Sequence, residues 1–548
     1  MPPAYPARLL PAAERGRYRA RGATSEETMP VLLERAAARY GGHDALIDLC
    51  DAKPRHYSYR EAAAIVERFA TFLRANGVTS GDLVLIHAPN SAEVVFAAWA
   101  AWRIGAVVNP VVDIYRTHEL RHIVGLARPD VVVTVREHRD FRQAEAFDEL
   151  LAEHGHTVKA RVLLGKGKVG GWTPFGGAID NDGDAAHPAT PHPDDPALLL
   201  FTSGTTSLPK GAVHSHRTLI AEAIQMANGW SMGWNDRMYL ALPIAHITGV
   251  LFALTVPLYR GGTAVLARMV SLQQSISQIV EHRVTVTTLA PNGIPQLRDA
   301  YQSAGLGSIP LRILASGGTN VPRVLIEAAE SLGIRPCRIY GMTEMPTVTM
   351  PCPADTERQR LDTDGRIAPG CECEAVDPDS RLPVEPGTEG ELRVRGPERM
   401  LGYLDDAQTD AQIDDDGWFY TGDLGIVDDE GCVSITGRIK DIINRGGEKF
   451  SARDIEDVIV ANPGVDEIAV VAAPDRRFGE VPAAFVVPTK GCTLIEADLI
   501  EALRAAGLAL QKIPAHWYFV DELPTNASGK VKKFELVARA VAAQEFDS

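Results

Sequence analysis

Cysteine, aromatic residues, positive charge and long apolar runs are all scarce in this sequence of 548 residues. It has 7 cysteines, with Cys371 and Cys373 the only close pair. That is too few for a disulfide scaffold. A C-x-C pair without a second pair or clustered histidines also falls short of the four ligands that structural zinc takes. Ordinary reduced thiols in a cytoplasmic protein are the expectation. Lys and Arg number 55 against 71 for Asp and Glu, a net charge of −16. No basic stripe stands out to neutralise a phosphate backbone, which argues against nucleic acid as a partner. An acidic chain can still gather cations locally, so the overall sign says nothing about a nucleotide pocket. The longest apolar runs, such as 94–102, are far short of the roughly 20 residues that span a bilayer, and no membrane partner is expected. The first residues, MPPAYPARLLPAAERGRYRARG, are rich in Arg but broken by prolines and lack an apolar core. They read as neither a signal nor a transit peptide.

With 45% hydrophobic and 23% charged residues, the composition is that of an ordinary globular protein. At about 100–200 residues per domain, the length predicts three or four units, or one large domain with a smaller one. The first half alternates helical and strand patterns. Helices are predicted over 59–76 and 92–103, and strands over 83–87, 106–108, 131–135 and 161–164. Such alternation implies βαβ units and mostly parallel sheets. Residues 165–192 read as loop and lead into Ala197-Leu-Leu-Leu-Phe201, a strand buried on both faces. The last hundred residues predict a small α/β unit, with helices over 454–461 and 494–506 and strands over 468–472 and 483–487.

Two glycine-rich stretches compete as phosphate sites. Gly165-Lys-Gly167-Lys-Val-Gly170 fits the dinucleotide fingerprint, which needs a helix to follow directly. The continuation GWTPFGG is not expected to be helical, so this stretch reads as a surface loop. The stronger candidate is Thr202-Ser203-Gly204-Thr205-Thr206-Ser207-Leu208-Pro209-Lys210-Gly211. Its hydroxyls, its glycines and one Lys suit a polyphosphate cradle. It is not a Walker loop, because Pro209 precedes Lys210 and Gly211 follows it. From composition alone, an ordinary Ser/Thr-rich turn remains an equal alternative.

TSGTTSLPKG resembles the TSGTTGxPKG signature of the adenylate-forming superfamily of acyl-CoA synthetases, luciferases and peptide-synthetase adenylation domains. Four further segments match in order. Tyr340-Gly341-Met342-Thr343-Glu344 is similar to YGxTE, and Tyr420-Thr-Gly-Asp423 to YxTGD. Gly437-Arg438-Ile-Lys440-Asp441 is similar to GRxKD, and Pro524-Thr-Asn-Ala-Ser-Gly-Lys530 to PxTxSGK. The match runs over residues 202–530, with weaker similarity around 105–116. The resemblance implies an α/β fold: a large N-terminal region, 1–438, of mostly parallel sheets flanked by helices plus a distorted barrel. It also implies a hinge at 439–440 on Lys440 and a small mobile α+β lid, 441–548, carrying the catalytic Lys.

The resemblance likewise implies chemistry. A carboxylate attacks the α-phosphate of ATP, giving an acyl-adenylate and pyrophosphate, and a thiol then takes the acyl group. Lys530 is expected to bridge carboxylate and α-phosphate, where charge builds in the transition state. ATP contacts are expected from Thr202, Ser203, Gly204, Thr205, Thr206, Lys210, Gly317, Gly318, Thr319, Tyr340, Gly341, Met342, Thr343, Asp423 and Arg438. Tyr340 would stack on adenine, Thr343 would bond the α-phosphate, and Asp423 would accept the ribose hydroxyls. Glu344 is the expected Mg²⁺ ligand, a hard-cation role for a carboxylate. The acid pocket is expected to use His246, Ile247, Thr248, Gly249, Asn292, Gly293, Ser316, Gly341 and Met345, with His246 near the carboxylate. After the lid turns, Gly446, Gly447 and Glu448 would meet the pantetheine thiol of coenzyme A.

Two departures stand out. Ser207 replaces the usual Gly of the phosphate loop, at a local cost of roughly 1–2 kcal/mol if positive φ is required there. The segment 244–251 holds no Asp to receive an amino group, and Ile247 stands where hydroxybenzoate-activating relatives tend to have Asn. An aryl, alicyclic or medium-chain acid is therefore favoured over an amino acid or a very long chain. The acceptor stays open among coenzyme A, a carrier-protein pantetheine and another nucleophile. So do a non-carboxylate oxyanion such as nitrite as the substrate, and a homodimer as the working form.

Overall fold

A computed structural model describes residues 5–180, 189–202, 209–268, 271–288, 293–305, 310–317, 321, 323–352, 355–492, 494–525 and 530–546. The chain divides into two compact units. One is built from residues up to Thr202 with Leu208–Glu372 and Val394–Phe419, and the other chiefly from Cys373–Arg393 and Tyr420–Ser548.

Two sheets organise the first unit. The larger has eight strands in the order Gly402–Tyr403, Lys210–Ser215, Pro196–Thr202, Val107–Val111, Leu83–His87, Val131–Val135, Ala160–Leu164 and Thr173–Pro174. From Pro196–Thr202 to Thr173–Pro174 every neighbour is parallel. The strand Lys210–Ser215 turns back antiparallel on Pro196–Thr202. The second sheet orders seven strands as Arg335–Ile339, Ile313–Gly317, Val286–Thr288, Arg237–Leu240, Thr263–Leu266, Asp44–Asp48 and Arg55–Ser58. Only the last of these is antiparallel to its neighbour.

The central strands are apolar runs buried on both faces, as parallel sheets demand. The helices between them start where capping residues sit. Ser58 and Glu61 close a capping box on Tyr59–Ala75, and the Ser91 hydroxyl caps Ala92–Arg103. The latter helix is apolar almost all round because both its faces are covered. Its two indoles donate to backbone carbonyls, Trp99 to Leu254 at 3.1 Å and Trp102 to Ala197 at 2.7 Å. This satisfies the one polar group each buries.

One expectation is corrected. Residues Phe175–Ile179, FGGAI, form a short helix despite two glycines. Phe175 is buried with its ring 4.9 Å from that of Phe69, and this burial outweighs the poor helix propensity of Gly. The helix begins five positions beyond Gly170, too late to place its N-terminus on a phosphate held by 165–170.

The second unit opens with a four-stranded sheet. Its strand order is Glu372–Val376, Glu389–Arg395, Phe419–Val427 and Val433–Arg438. A five-stranded sheet follows, centred on the long hairpin Val465–Asp475 and Gly479–Pro488. One face is covered by Arg453–Val460 and Glu496–Ala505, whose Ile455, Ile459, Leu499 and Leu503 are buried in its core. The other packs Leu536 and Ala540 of the terminal helix Lys533–Phe546. The expected helices and strands of this unit are present with ends shifted by a few residues.

Candidate active site

The phosphate-loop candidate joins two paired strands, since Thr202 stands opposite Lys210 in the register. A strand, not a helix, follows it, which separates it physically from a Walker loop. Ser203, Gly204, Thr205 and Thr206 of that loop lie outside the described residues, as do Ser207, Asn292, Gly318 and Thr319.

Lys210 leads to Glu344 through a residue the motifs do not contain. Its ammonium sits 4.9 Å from the ring centre of Tyr403, and the Tyr403 hydroxyl donates to a Glu344 carboxylate oxygen at 2.5 Å. Tyr403 is 2% exposed, and burial followed by the Glu344 charge drives its phenol far above the ordinary range. It therefore acts only as a neutral donor. Strand pairing places it, because Tyr403 lies opposite Ala212, two residues beyond Lys210. The Met400 amide also donates to the Glu344 carbonyl at 2.9 Å.

The neighbouring Thr343 is held through its carbonyl, which accepts from Nε2 of His214 at 2.7 Å. His214 is fully buried, and burial pushes its ring down to about 4, so it is a neutral fixed donor. The chain 340–349 folds back on itself. Met342 and Met345 exchange two backbone hydrogen bonds, and the Tyr340 carbonyl accepts from the amides of Val348 and Thr349. Met345 is fully buried and packs against Gly396.

Beneath this turn lie two fully buried carboxyls. Thr347 donates its hydroxyl to Glu222 at 2.6 Å, and the Cys371 thiol donates to Glu398 at 2.5 Å. Burial pushes Glu222 up to about 8, helped by Glu398, and burial alone raises Glu398 to about 7.

His246 caps the short helix Ile247–Val250, its Nδ1 accepting from the Thr248 amide at 3.3 Å. With Nδ1 an acceptor, the proton of the neutral ring sits on Nε2. The helix widens into a π-turn at Leu251–Thr255 just before Pro257, whose ring and missing N–H disrupt the regular ladder. Gly249, Gly317 and Gly341 share one constraint: a Cβ on each would overlap a backbone carbonyl oxygen, those of Pro243, Ile339 and Pro346 respectively. Ser316 is buried, and its hydroxyl has no partner among the described residues. Gly293 opens the helix Gly293–Ala304.

In the second unit, Asp423 and Arg438 are direct cross-strand partners, joined by an ion pair of 2.7 Å. Half-buried Lys530 belongs to the same cluster. Its ammonium is pushed down to about 8 by burial first and then by Arg438, against the pull of Asp423. Lys440 is exposed in the short 3-10 turn Ile439–Asp441. Gly446 and Gly447 form the two-residue turn between Ile442–Arg445 and Glu448–Ser451, with φ of +64° and +98°. Such a hairpin turn asks for residues that tolerate positive φ. Exposed Glu448 pairs with Arg445 at the turn's base.

Tyr403 and His214 escape the motif reading. Each is made relevant only by pairing across long sequence separations, and their local signal is weak: an aromatic beside a Gly, and a His within a strand.

The comparisons with known proteins agree with this organisation. The family described as AMP-binding enzyme matches residues 33–404, and the AMP-binding enzyme C-terminal domain matches residues 454–530. An indoleacetate–CoA ligase of Aromatoleum aromaticum is 35% identical over 493 residues, covering 88% of this chain and 94% of that protein. A medium-chain fatty-acid–CoA ligase of Escherichia coli is 29% identical, over 95% of this chain and 92% of that one. Among solved structures, o-succinylbenzoate CoA synthetase of Bacillus subtilis in complex with its acyl-adenylate superposes with a TM-score of 0.80. It is 26% identical, over 93% of this chain and 98% of that one. With family motifs in order from Thr202 to Lys530 and family matches on both segments, the chain belongs to the AMP-binding, adenylate-forming enzymes.

Proposed function

We propose that the protein is an AMP-forming acid–CoA ligase acting on an aryl, alicyclic or medium-chain carboxylic acid. In the first half-reaction a carboxylate oxygen attacks the α-phosphorus of ATP and the bond to the bridging oxygen of pyrophosphate breaks. In the second, the coenzyme A thiol attacks the acyl carbon, loses its proton, and AMP leaves. The observation carrying this reading is the cluster of Lys530 with Asp423 and Arg438. A Lys held among charged groups supplies positive charge for the α-phosphate. Asp423 accepts the ribose hydroxyls while Arg438 holds its carboxylate in place. Thr343, with its carbonyl tied to His214, presents its hydroxyl to phosphate. His246 offers an Nε2–H donor to the acid.

Mg²⁺ takes oxygen ligands, commonly one or two carboxylates with waters and phosphate oxygens. The Glu344 carboxylate, oriented by the Tyr403 hydroxyl that donates to it, would supply the protein's oxygen ligand of that kind. When bound, the ion neutralises polyphosphate charge. Lys440 is assigned as the pivot on which 441–548 turns between half-reactions, and the Gly446-Gly447 turn as the approach for the thiol.

The test is pyrophosphate release from ATP across a panel of carboxylic acids and nitrite, each with and without coenzyme A. Release with an aryl, alicyclic or medium-chain acid, followed by an acyl-CoA product, is expected. Release without any thioester on adding coenzyme A would point to a carrier protein or another acceptor. Release with nitrite alone would overturn the carboxylate assignment.

A further inference from the structure

Arg399 is 2% exposed, yet no carboxylate pairs with it among the described residues. Its two terminal nitrogens donate to the backbone carbonyls of Met400 at 3.0 Å and Arg8 at 2.7 Å. Its Nε is buried without any partner among the described residues. A buried guanidinium left without an anion is costly, because the interior does not replace the hydration of its charge.

Arg399 lines a cavity of about 30 Å³ that also touches Arg8, Arg15, Arg217, Asp194 and Thr24. Among the described residues, four arginines and one carboxylate thus line it. Three of the arginines have acidic partners: Arg8 pairs with Asp410 and Asp415, Arg15 with Asp194, and Arg217 with Asp194 and Glu26. Arg399 is the one without an ion pair among the described residues, the Asp414 charge acting on it only from a distance. The Thr24 hydroxyl is likewise buried without a partner among the described residues, giving a second donor. A cavity this size has room for about two waters or one small anion.

We propose that this cavity is a binding site for a monovalent inorganic anion of chloride size, held by Arg399 Nε and the Thr24 hydroxyl. Burial pushes the Arg399 guanidinium down to about 10, so it is still cationic at neutral pH and still needs a counter-charge. The anion would brace the segment that continues through Met400, whose amide holds the Glu344 carbonyl.

The test uses the full-length wild-type protein crystallised in bromide. An anomalous peak within hydrogen-bonding reach of Arg399 Nε is expected. Ordered waters alone in the cavity, with no anomalous signal, overturn the proposal. In solution, replacing gluconate by about 100 mM chloride at constant ionic strength should raise Tm by about 2 °C. Arg399→Met should lose that response. An equal rise in wild type and variant overturns the proposal, and the crystallographic arm stands without any variant.

Discussion

The hydroxyl of Tyr403 lies 2.5 Å from the carboxylate of Glu344 while the ammonium of Lys210 rests over the same ring. One side chain therefore orients both groups assigned to the polyphosphate end of ATP. Tyr403→Phe keeps the ring under Lys210 and removes only the donor. A hydrogen bond to a charged acceptor is worth about 1.5–3 kcal/mol, so kcat/KM for ATP should fall about 10- to 100-fold in a pyrophosphate-release assay, with little change in Tm. Full activity in this variant would show that Glu344 needs no such orientation.

Lys530→Ala should reduce adenylate formation by at least about 100-fold yet leave thioester formation from supplied acyl-adenylate near wild type. Equal loss in both half-reactions, measured separately by pyrophosphate release and by acyl-CoA production, would refute a Lys that serves only the first.

Because Lys530 is lowered to about 8 in the free protein, its charge is lost as pH rises through that value. The kcat/KM for adenylation should decline above about pH 8, since this parameter reports the free enzyme. In the kcat profile the decline should move to higher pH, because bound polyphosphate favours the charged form. Lys530→Arg, slower but permanently cationic, should lack the alkaline limb. A limb unchanged by that substitution belongs to another group.

Glu222 and Glu398 bear on stability. Their carboxyls are raised from 4.5 to about 8 and about 7, so between those values the folded protein binds more protons than the unfolded chain. Stability must then fall as pH rises from about 5 to 8. Glu222→Gln keeps an acceptor for the Thr347 hydroxyl and removes the charge. Its Tm should exceed that of wild type by about 2–4 °C at pH 8 and match it near pH 5. Parallel curves for the two proteins would refute a protonated, buried Glu222.

At Gly447, exposed in its turn, a Cβ would meet nothing within 4 Å, so Gly447→Leu has room at its first side-chain carbon and carries the strain of a φ of +98°. Adenylate should still form and coenzyme A turnover should stop. Unchanged acyl-CoA production would remove this turn from the thiol's approach.

What could be read from the sequence follows from the range of the forces involved. The strands 83–87 and 131–135 and the helix 92–103 are legible because apolar patterning over five to twelve residues decides them. The cross-strand pairing of Asp423 with Arg438 was half legible, as two motifs fifteen residues apart without their register. Tyr403 and His214 were not legible, because strand pairing across nearly two hundred residues brings Tyr403 to Lys210. The helix at Phe175 is hidden in the sequence for a related reason: a tertiary contact with Phe69 overrides what two glycines prefer.

The three glycines pressed against backbone carbonyls have a consequence for how such an enzyme changes its diet. Gly249, Gly317 and Gly341 cannot acquire even a methyl group without displacing main chain, so they are closed to the gradual substitutions by which a pocket is reshaped. With the acid pocket placed as proposed, diversification toward new acids would run through the side chains between and beside them, Ile247, Thr248 and Ser316 among these. A mutational library aimed at altered substrate range would be best spent there, with the glycines left alone.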